Sequence, residues 1–419
     1  MSRSSSGVAA RALRTRTAFH CGLLLTVILA ALLPKAIAAQ QGVFYAIGSA
    51  ESTPADPEHS RSTSYKDVSL YEVDSATLQV LRSLGVERIG PNGETVKMTS
   101  GMLTGRRDFV LLTDSELQSS TVLRVSAPSL EAKGQLGMKD LQIRGTTCLD
   151  QIFVHPVTGL AYFSCDAGSG GNGFVILDTS KPAVVGDFPH SPPIPSSWPR
   201  LSLYRPTFVY APESKRLYLV GNNVLALDSE NRAVDYIFAR ELAKSADIGT
   251  GHEINNLTVL ADGNFVLLMN EHETPMLVLY DPVARKVLKH WTETQKYGEM
   301  ESYTDSRTGK AEERSVQKIA RLHCGPVASR DSSRLFAMSE GDIVLWDTNT
   351  LEELDRVDAP EPPANSGGMH EECFFLAPDG KGMWFVGQSG KVYRLDDHTG
   401  GHIEEVKLPF RLINLIREH

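Results

Sequence analysis

Three histidines carry the first chemical signal in the chain. They occur as Gly251-His252-Glu253, Leu322-His323-Cys324 and Met369-His370-Glu371, each at a matching distance before a turn-forming stretch. Imidazole changes charge near neutral pH and is the commonest protein metal ligand. With the carboxylates of Glu253 and Glu371, three imidazoles can act as acids and bases or hold a divalent transition metal. Tyr204-Arg205 holds a similar place upstream and adds a phenol and a guanidinium. The candidate ligand site is therefore Tyr204, Arg205, His252, Glu253, His323, His370 and Glu371, with His252, His323 and His370 as metal candidates. None is assigned a catalytic role. The ordinary alternative is a row of polar residues lining a wet channel, with imidazoles too far apart to share one metal.

Other strings fail on context. Gly168-Ser169-Gly170-Gly171-Asn172-Gly173 fits G-x-G-x-x-G, but it leads into a strand, whereas a dinucleotide fingerprint opens a helix. His252-Glu253-Ile254-Asn255-Asn256 lacks the second histidine of a zinc-protease helix. No nucleophile elbow and no EF-hand loop occurs, so no cofactor is expected. Asn256-Leu257-Thr258 is a glycosylation string on an expected inner strand, where the acceptor would be buried.

The elements that must position the histidines are strands. Residues 372–377, 382–386, 391–396 and 402–406 are four short apolar runs separated by Pro378-Asp379-Gly380, Ser389-Gly390 and Asp397-His398-Thr399-Gly400, which suit tight turns. Four such strands form an antiparallel sheet that cannot bury both faces alone. The chain supplies neighbours. Paired strands recur at 108–113 and 121–126, 160–165 and 173–178, 216–220 and 223–228, 264–270 and 275–281, and 334–338 and 342–347. The stretches VILDTSK, LALDSEN, LVLYDPV, VLWDTNT and YRLDDHT each place Asp after apolar residues, where its side chain can cap the next turn.

A repeat of roughly 45 to 55 residues is that of propeller blades. Six full units run from about residue 94 to 408. The start (43–49, 68–73, 78–83) supplies three strands, and 410–416 supplies one. Three and one complete a seventh blade from both ends of the chain, leaving no open edge. The expected fold is all-β: a seven-bladed β-propeller of four-stranded antiparallel blades, with N- and C-terminal strands in one blade. An eight-bladed or two-sheet arrangement is the alternative.

The motifs LAPDGKGMWFV and IVLWDTNT resemble the seven-bladed propellers with YVTN-type or WD-like repeats. That superfamily includes surface-layer-like proteins, lactonase-type propellers and the heavy subunits of quinoprotein amine dehydrogenases. The resemblance covers essentially all of residues 39–419 and implies blades. It implies no activity, so no catalytic residue is carried over.

Residues 1–38 read as a secretory signal peptide. Arg3, Arg11, Arg14 and Arg16 precede an apolar run over 21–33, then Pro34 and Ala36-Ile37-Ala38. The run is short against the roughly 20 residues that span a bilayer, so no membrane span is expected after its removal. Residues 39–419 are then one domain, secreted or periplasmic. Losing the four arginines and Lys35 moves the formal charge from −9 to −14. An acidic chain disfavours nucleic acid as a partner, because phosphate binding needs basic patches.

Cys148, Cys165, Cys324 and Cys373 remain, an even number that permits two disulfides in an exported protein. Cys148 and Cys165 fall on neighbouring strands in a diagonal register that needs a bulge. Cys324 and Cys373 hold matching places in adjacent blades. Free buried thiols are the alternative for either pair.

Long polar stretches at 47–65, 187–205, 290–319 and 358–370 gather at the end of the ring where first strands begin. A rigid scaffold with loops on one face suits a binding or scaffold protein for a protein partner or small ligand. The alternative is an enzyme of lactonase or lyase type at the channel mouth, or the non-catalytic subunit of an amine-dehydrogenase-like complex. Trp198, within PHSPPIPSSWPR, is expected to cover the channel or meet a partner. Trp346, Trp384, Phe374, Phe375, Phe385 and Tyr393 are expected to pack between blades.

Overall fold

The structure is a computed structural model. It describes residues 42–416 apart from 54–63, 90–94, 105–108, 114–120, 138–151, 167–171, 180–182, 188–193, 200, 202, 204–205, 246–252, 272–273, 305–310 and 364–372.

Strands β1 (Val43–Thr53), β2 (Ser64–Asp74) and β3 (Val80–Gly85) open the chain, followed by a small hairpin of β4 (Glu87–Ile89) and β5 (Thr95–Lys97). Blade 2 is β6 (Ser100–Leu103), β7 (Phe109–Thr113), β8 (Thr121–Ser126) and β9 (Glu131–Gly137). Blade 3 is β10 (Ile152–Val154), β11 (Leu160–Asp166), β12 (Asn172–Asp178) and β13 (Ala183–Asp187). Blade 4 is β14 (Thr207–Ala211), β15 (Arg216–Gly221), β16 (Asn223–Leu227) and β17 (Ala233–Ile237), and helix α1 (Ala239–Ser245) follows it. Blade 5 is β18 (Glu253–Val259), β19 (Phe265–Glu271), β20 (Thr274–Asp281) and β21 (Lys286–Thr292), and a ribbon of β22 (Lys296–Thr304) and β23 (Ala311–Ile319) follows it. Blade 6 is β24 (Leu322–Ala328), β25 (Arg334–Ser339), β26 (Asp342–Asp347) and β27 (Glu353–Asp358). Blade 7 is β28 (Phe374–Leu376), β29 (Met383–Val386), β30 (Val392–Leu395) and β31 (His402–Val406), and β32 (Arg411–Ile416) comes last.

The last strand closes the ring. β32 pairs antiparallel with β1, Tyr45 opposite Ile416 and Ser49 opposite Arg411, giving the sheet order β3-β2-β1-β32. Seven four-stranded antiparallel blades result, as the repeat predicted. The core lies in the seams between blades. Phe44, Val73 and Leu412 of blade 1 meet Phe375 and Trp384 of blade 7, while Trp346 of blade 6 packs with Leu277 and Leu279 of blade 5. Trp346, Trp384, Phe374, Phe375, Phe385 and Tyr393 are all buried, as expected for seam residues.

Two of the expected loop stretches contain strand. β1 and β2 run past the blade, continuing through Glu51–Lys66 to Thr53–Ser64. The charged stretch after His290 folds into the β22–β23 ribbon, nine residues in each strand. Local alternation of polar and apolar residues is weak in both, and cross-strand pairing decides them.

One irregularity recurs in every blade. Where the outer strand pairs with its neighbour, it carries one extra residue at the same place: Leu81, Lys133, Val185, Val234, Leu288, Leu354 and Ile403. A bulge twists a strand and interrupts its ladder, which blunts an edge against pairing with other chains. Six of these residues are exposed aliphatics, and the seventh is an exposed lysine.

Candidate binding face

In each blade the inner strand runs one way, the second returns, the third repeats the first and the fourth returns. Connections between blades and between second and third strands therefore share one end of the ring. The remaining turns share the other.

The second end is built from capped turns. The Oδ1 atom of Asp74 accepts from the N–H groups of Ala76 and Thr77, Asp281 from Val283 and Ala284, Asp347 from Asn349 and Thr350, and Asp396 from His398 and Thr399. Asp281, Asp347 and Asp396 do what their position after apolar runs predicted. Their bonds hold Asp74 and Asp396 below the usual carboxylate range. At the turn between the first two strands of blade 3 an imidazole does the same work: His155 Nδ1 accepts from the N–H groups of Val157 and Thr158. That histidine is buried, and burial lowers its pKa.

The first end carries the additions: the tip of β1–β2, the β4–β5 hairpin, α1 and the β22–β23 ribbon. The helix, the hairpin and the ribbon are rooted in the ring by polar groups. Ala239 at the start of α1 donates its N–H to Asn223 Oδ1 at 3.1 Å, and Ala239, Leu242 and Ala243 are buried beneath the helix. Val68 donates its N–H to Glu87 Oε1 at 3.2 Å, tying β4 to β2. At the root of the ribbon Glu293 is 2% exposed. One of its oxygens accepts from the N–H groups of Thr294 and Gln295, the other from Ser339 Oγ at 2.9 Å and Arg356 Nη2 at 3.0 Å. Those four bonds meet the acceptor demand of a buried carboxylate, which would otherwise be costly. Between blades 6 and 7, Glu361 lies over Gly387 and accepts from Ser389 Oγ at 2.8 Å. Burial, then Glu361 and Glu405, push the Tyr393 phenol up to about 12.

Of the sequence-predicted site residues, Tyr204, Arg205, His252, His370 and Glu371 lie outside the described residues. Glu253 opens β18 opposite Asn270 and is exposed. His323 sits in β24 opposite Met338. Strands β18 and β24 are neighbours in the inner ring. Among the described residues, no group of three His, Cys, Asp or Glu side chains stands ready to hold a metal. Asn256 is on the inner strand β18 as expected, half-buried, and its amide donates to Gly325 O at 3.3 Å.

Cys324 and Cys373 form a disulfide between β24 and the approach to β28, with Cα atoms 5.3 Å apart. Cys148 lies outside the described residues, so its pairing with Cys165 stays an expectation. Beyond Cys324 the inner strand bulges between His323 and Val327. Gly325 belongs there because a Cβ would meet the Phe336 carbonyl at 2.8 Å. Thr258 Oγ1 donates to Pro326 O at 2.6 Å and helps hold the bulge. This distortion was missed from sequence; the Cys-Gly-Pro string was its one signal. Trp198 packs against Tyr236 of the outer strand β17, ring centroids 4.9 Å apart, and so does not cover the channel. Ile194 packs against the same core cluster as Trp198.

No family model matches the sequence, and no curated protein matches it significantly. Solved structures do. A protein from Lactobacillus plantarum aligns with a TM-score of 0.52 at 10% identity, over 89% of this chain and 98% of that one. A putative 6-phosphogluconolactonase from Bacteroides uniformis gives 0.50 at 12% identity, over 89% and 99%. One from Bacteroides fragilis gives 0.50 at 10%, over 90% and 98%. This chain is a seven-bladed β-propeller. At such identities the likeness is one of fold, and a propeller's activity is set by residues grafted onto it. Among the described residues, no helix of this propeller is long and apolar enough to cross a membrane.

Proposed function

We propose that this propeller is an exported binding or scaffold protein that holds a protein partner or a small ligand on the face where its inner strands begin. The observation that carries the reading is the inequality of the two ends. One is trimmed to capped turns; the other bears an overrunning strand pair, and α1 and two hairpins anchored by buried or half-buried polar groups. Function concentrates on loops that a rigid scaffold positions. Export is supported by the disulfide, which persists in oxidising compartments, and by the basic-then-apolar start of the sequence, with residues 1–38 removed and 39–419 acting as one domain. The acidic balance supports a partner other than nucleic acid.

The test compares capture of partners from host extracts by the wild-type protein and by two variants. One replaces residues 296–319 with a short turn; the other carries Asp74→Ala and Asp281→Ala at the opposite end. Loss of a specific partner in the first variant alone is expected. Loss in the second alone overturns the assignment of the face.

A further inference from the structure

The outer edges of this ring are defended, and the longest of its added hairpins is not. All seven outer strands carry the bulge that interrupts edge pairing. The β22–β23 ribbon keeps an unbroken register, from Lys296 opposite Ile319 to Thr304 opposite Ala311. Both its edges are outer edges in a two-stranded sheet. Among the described elements, neither strand packs substantially against anything but the other. A lone two-stranded sheet is marginal in water, and three or more strands are needed for a stable one.

We propose that β23 pairs antiparallel with β23 of a second copy, making a four-stranded sheet across a two-fold axis at Ser315. The backbone fixes which groups are free. Ala320 N–H donates to Gln295 O at 2.8 Å, so hydrogen-bonded pairs alternate outward from that position. Residues 311, 313, 315, 317 and 319 then turn their N–H and C=O groups away from β22. Centred on Ser315, these residues pair among themselves: Ser315 with the partner's Ser315, Glu313 with the partner's Gln317, Ala311 with the partner's Ile319. Glu312 falls opposite the partner's Lys318 twice, in the closer non-hydrogen-bonded positions.

The neighbouring registers are worse. Centring on Arg314 opposes two arginines, and centring on Val316 sets Arg314 opposite the partner's Lys318. The β22 edge is less suited, because no two-fold register of it sets Lys296 opposite a glutamate. Centring on Glu299, Met300 or Glu301 opposes glutamates in each case, and like charges directly opposite destabilise a sheet. A two-fold interface must complement itself. Only the Ser315 register of β23 sets opposite charges face to face without opposing like ones.

Sedimentation of the purified protein across a concentration series tests the proposal. The wild type is expected to pass from monomer to dimer as concentration rises. Lys318→Glu sets glutamates opposite each other at both symmetric places and is expected to weaken the dimer by about tenfold or more. The double variant Glu312→Lys with Lys318→Glu restores the pairing and the dimer. Ser315→Pro removes an N–H that faces away from β22, leaving the ribbon's own ladder whole, and is expected to abolish the dimer. A monomer at every concentration overturns the proposal. So does a dimer that tolerates Ser315→Pro, or one that the charge swap fails to rescue. Partner capture can fail while this dimer stands, so the two readings are separable.

Discussion

His155 shows what a single side chain does when a turn borrows it. Its Nδ1 must stay unprotonated to accept two backbone N–H bonds, and the ring has no exposed surface. Burial lowers its pKa below the ordinary value of 6.5. The folded state therefore favours the neutral ring, and the unfolded chain takes up the proton first as pH falls. Stability from this group is complete above about pH 6.5 and declines as pH drops through that value toward the lowered folded one. Melting temperatures measured from pH 8 to pH 5 are expected to fall more steeply for wild type than for His155→Asn, whose amide oxygen can cap the same turn without titrating. Equal slopes would remove His155 from the account. The sequence showed this residue only as part of a turn, His155-Pro156-Val157-Thr158-Gly159. Its role was hidden because Asp usually takes that work, and because burial is a property of the surrounding strands.

At the scale of elements, the sequence was most legible where backbone demands are local. Asp after an apolar run predicted capped turns, and the strands beside them followed. It was least legible where an element depends on distant partners. The ribbon after blade 5 holds charged residues that look like a loop; nine cross-strand pairs make it a sheet. The outer-strand bulges are equally silent, since Leu354 or Ile403 looks like any strand aliphatic until the register slips by one. The site histidines mark another boundary: equivalence of position in the repeat is the ground for expecting them at one end, and side-chain convergence is a matter of loop conformation. Element contacts can nonetheless be tested. A Cβ on Gly387 would run into the Glu361 side chain, so Gly387→Ala is expected to expel that carboxylate from its bond to Ser389. The cost is about 2 kcal/mol by the usual scale of overpacking, read by urea denaturation. Adding Glu361→Ala is expected to recover part of the loss, and a purely additive double variant would refute the contact.

For the whole molecule, closure comes from two fasteners of different kinds. One is the shared blade, where β32 lies against β1. The other is the Cys324–Cys373 bond between blades 6 and 7, which spans 49 residues. A loop of that length constrains the unfolded chain by about 4 kcal/mol in the chain-entropy treatment. The double variant Cys324→Ala with Cys373→Ala is expected to unfold at a clearly lower urea midpoint with its circular dichroism spectrum unchanged. An unchanged midpoint would show that the blade seams alone set stability.

The shared blade also has a bearing on how the chain comes to be folded. β1 is made early and its inner neighbour β32 is made only after six further blades. Throughout that interval β1 offers bare amide and carbonyl groups to any passing strand. The molecule guards its finished rim seven times over, yet its first sheet must wait, incomplete and vulnerable, for a companion still unmade.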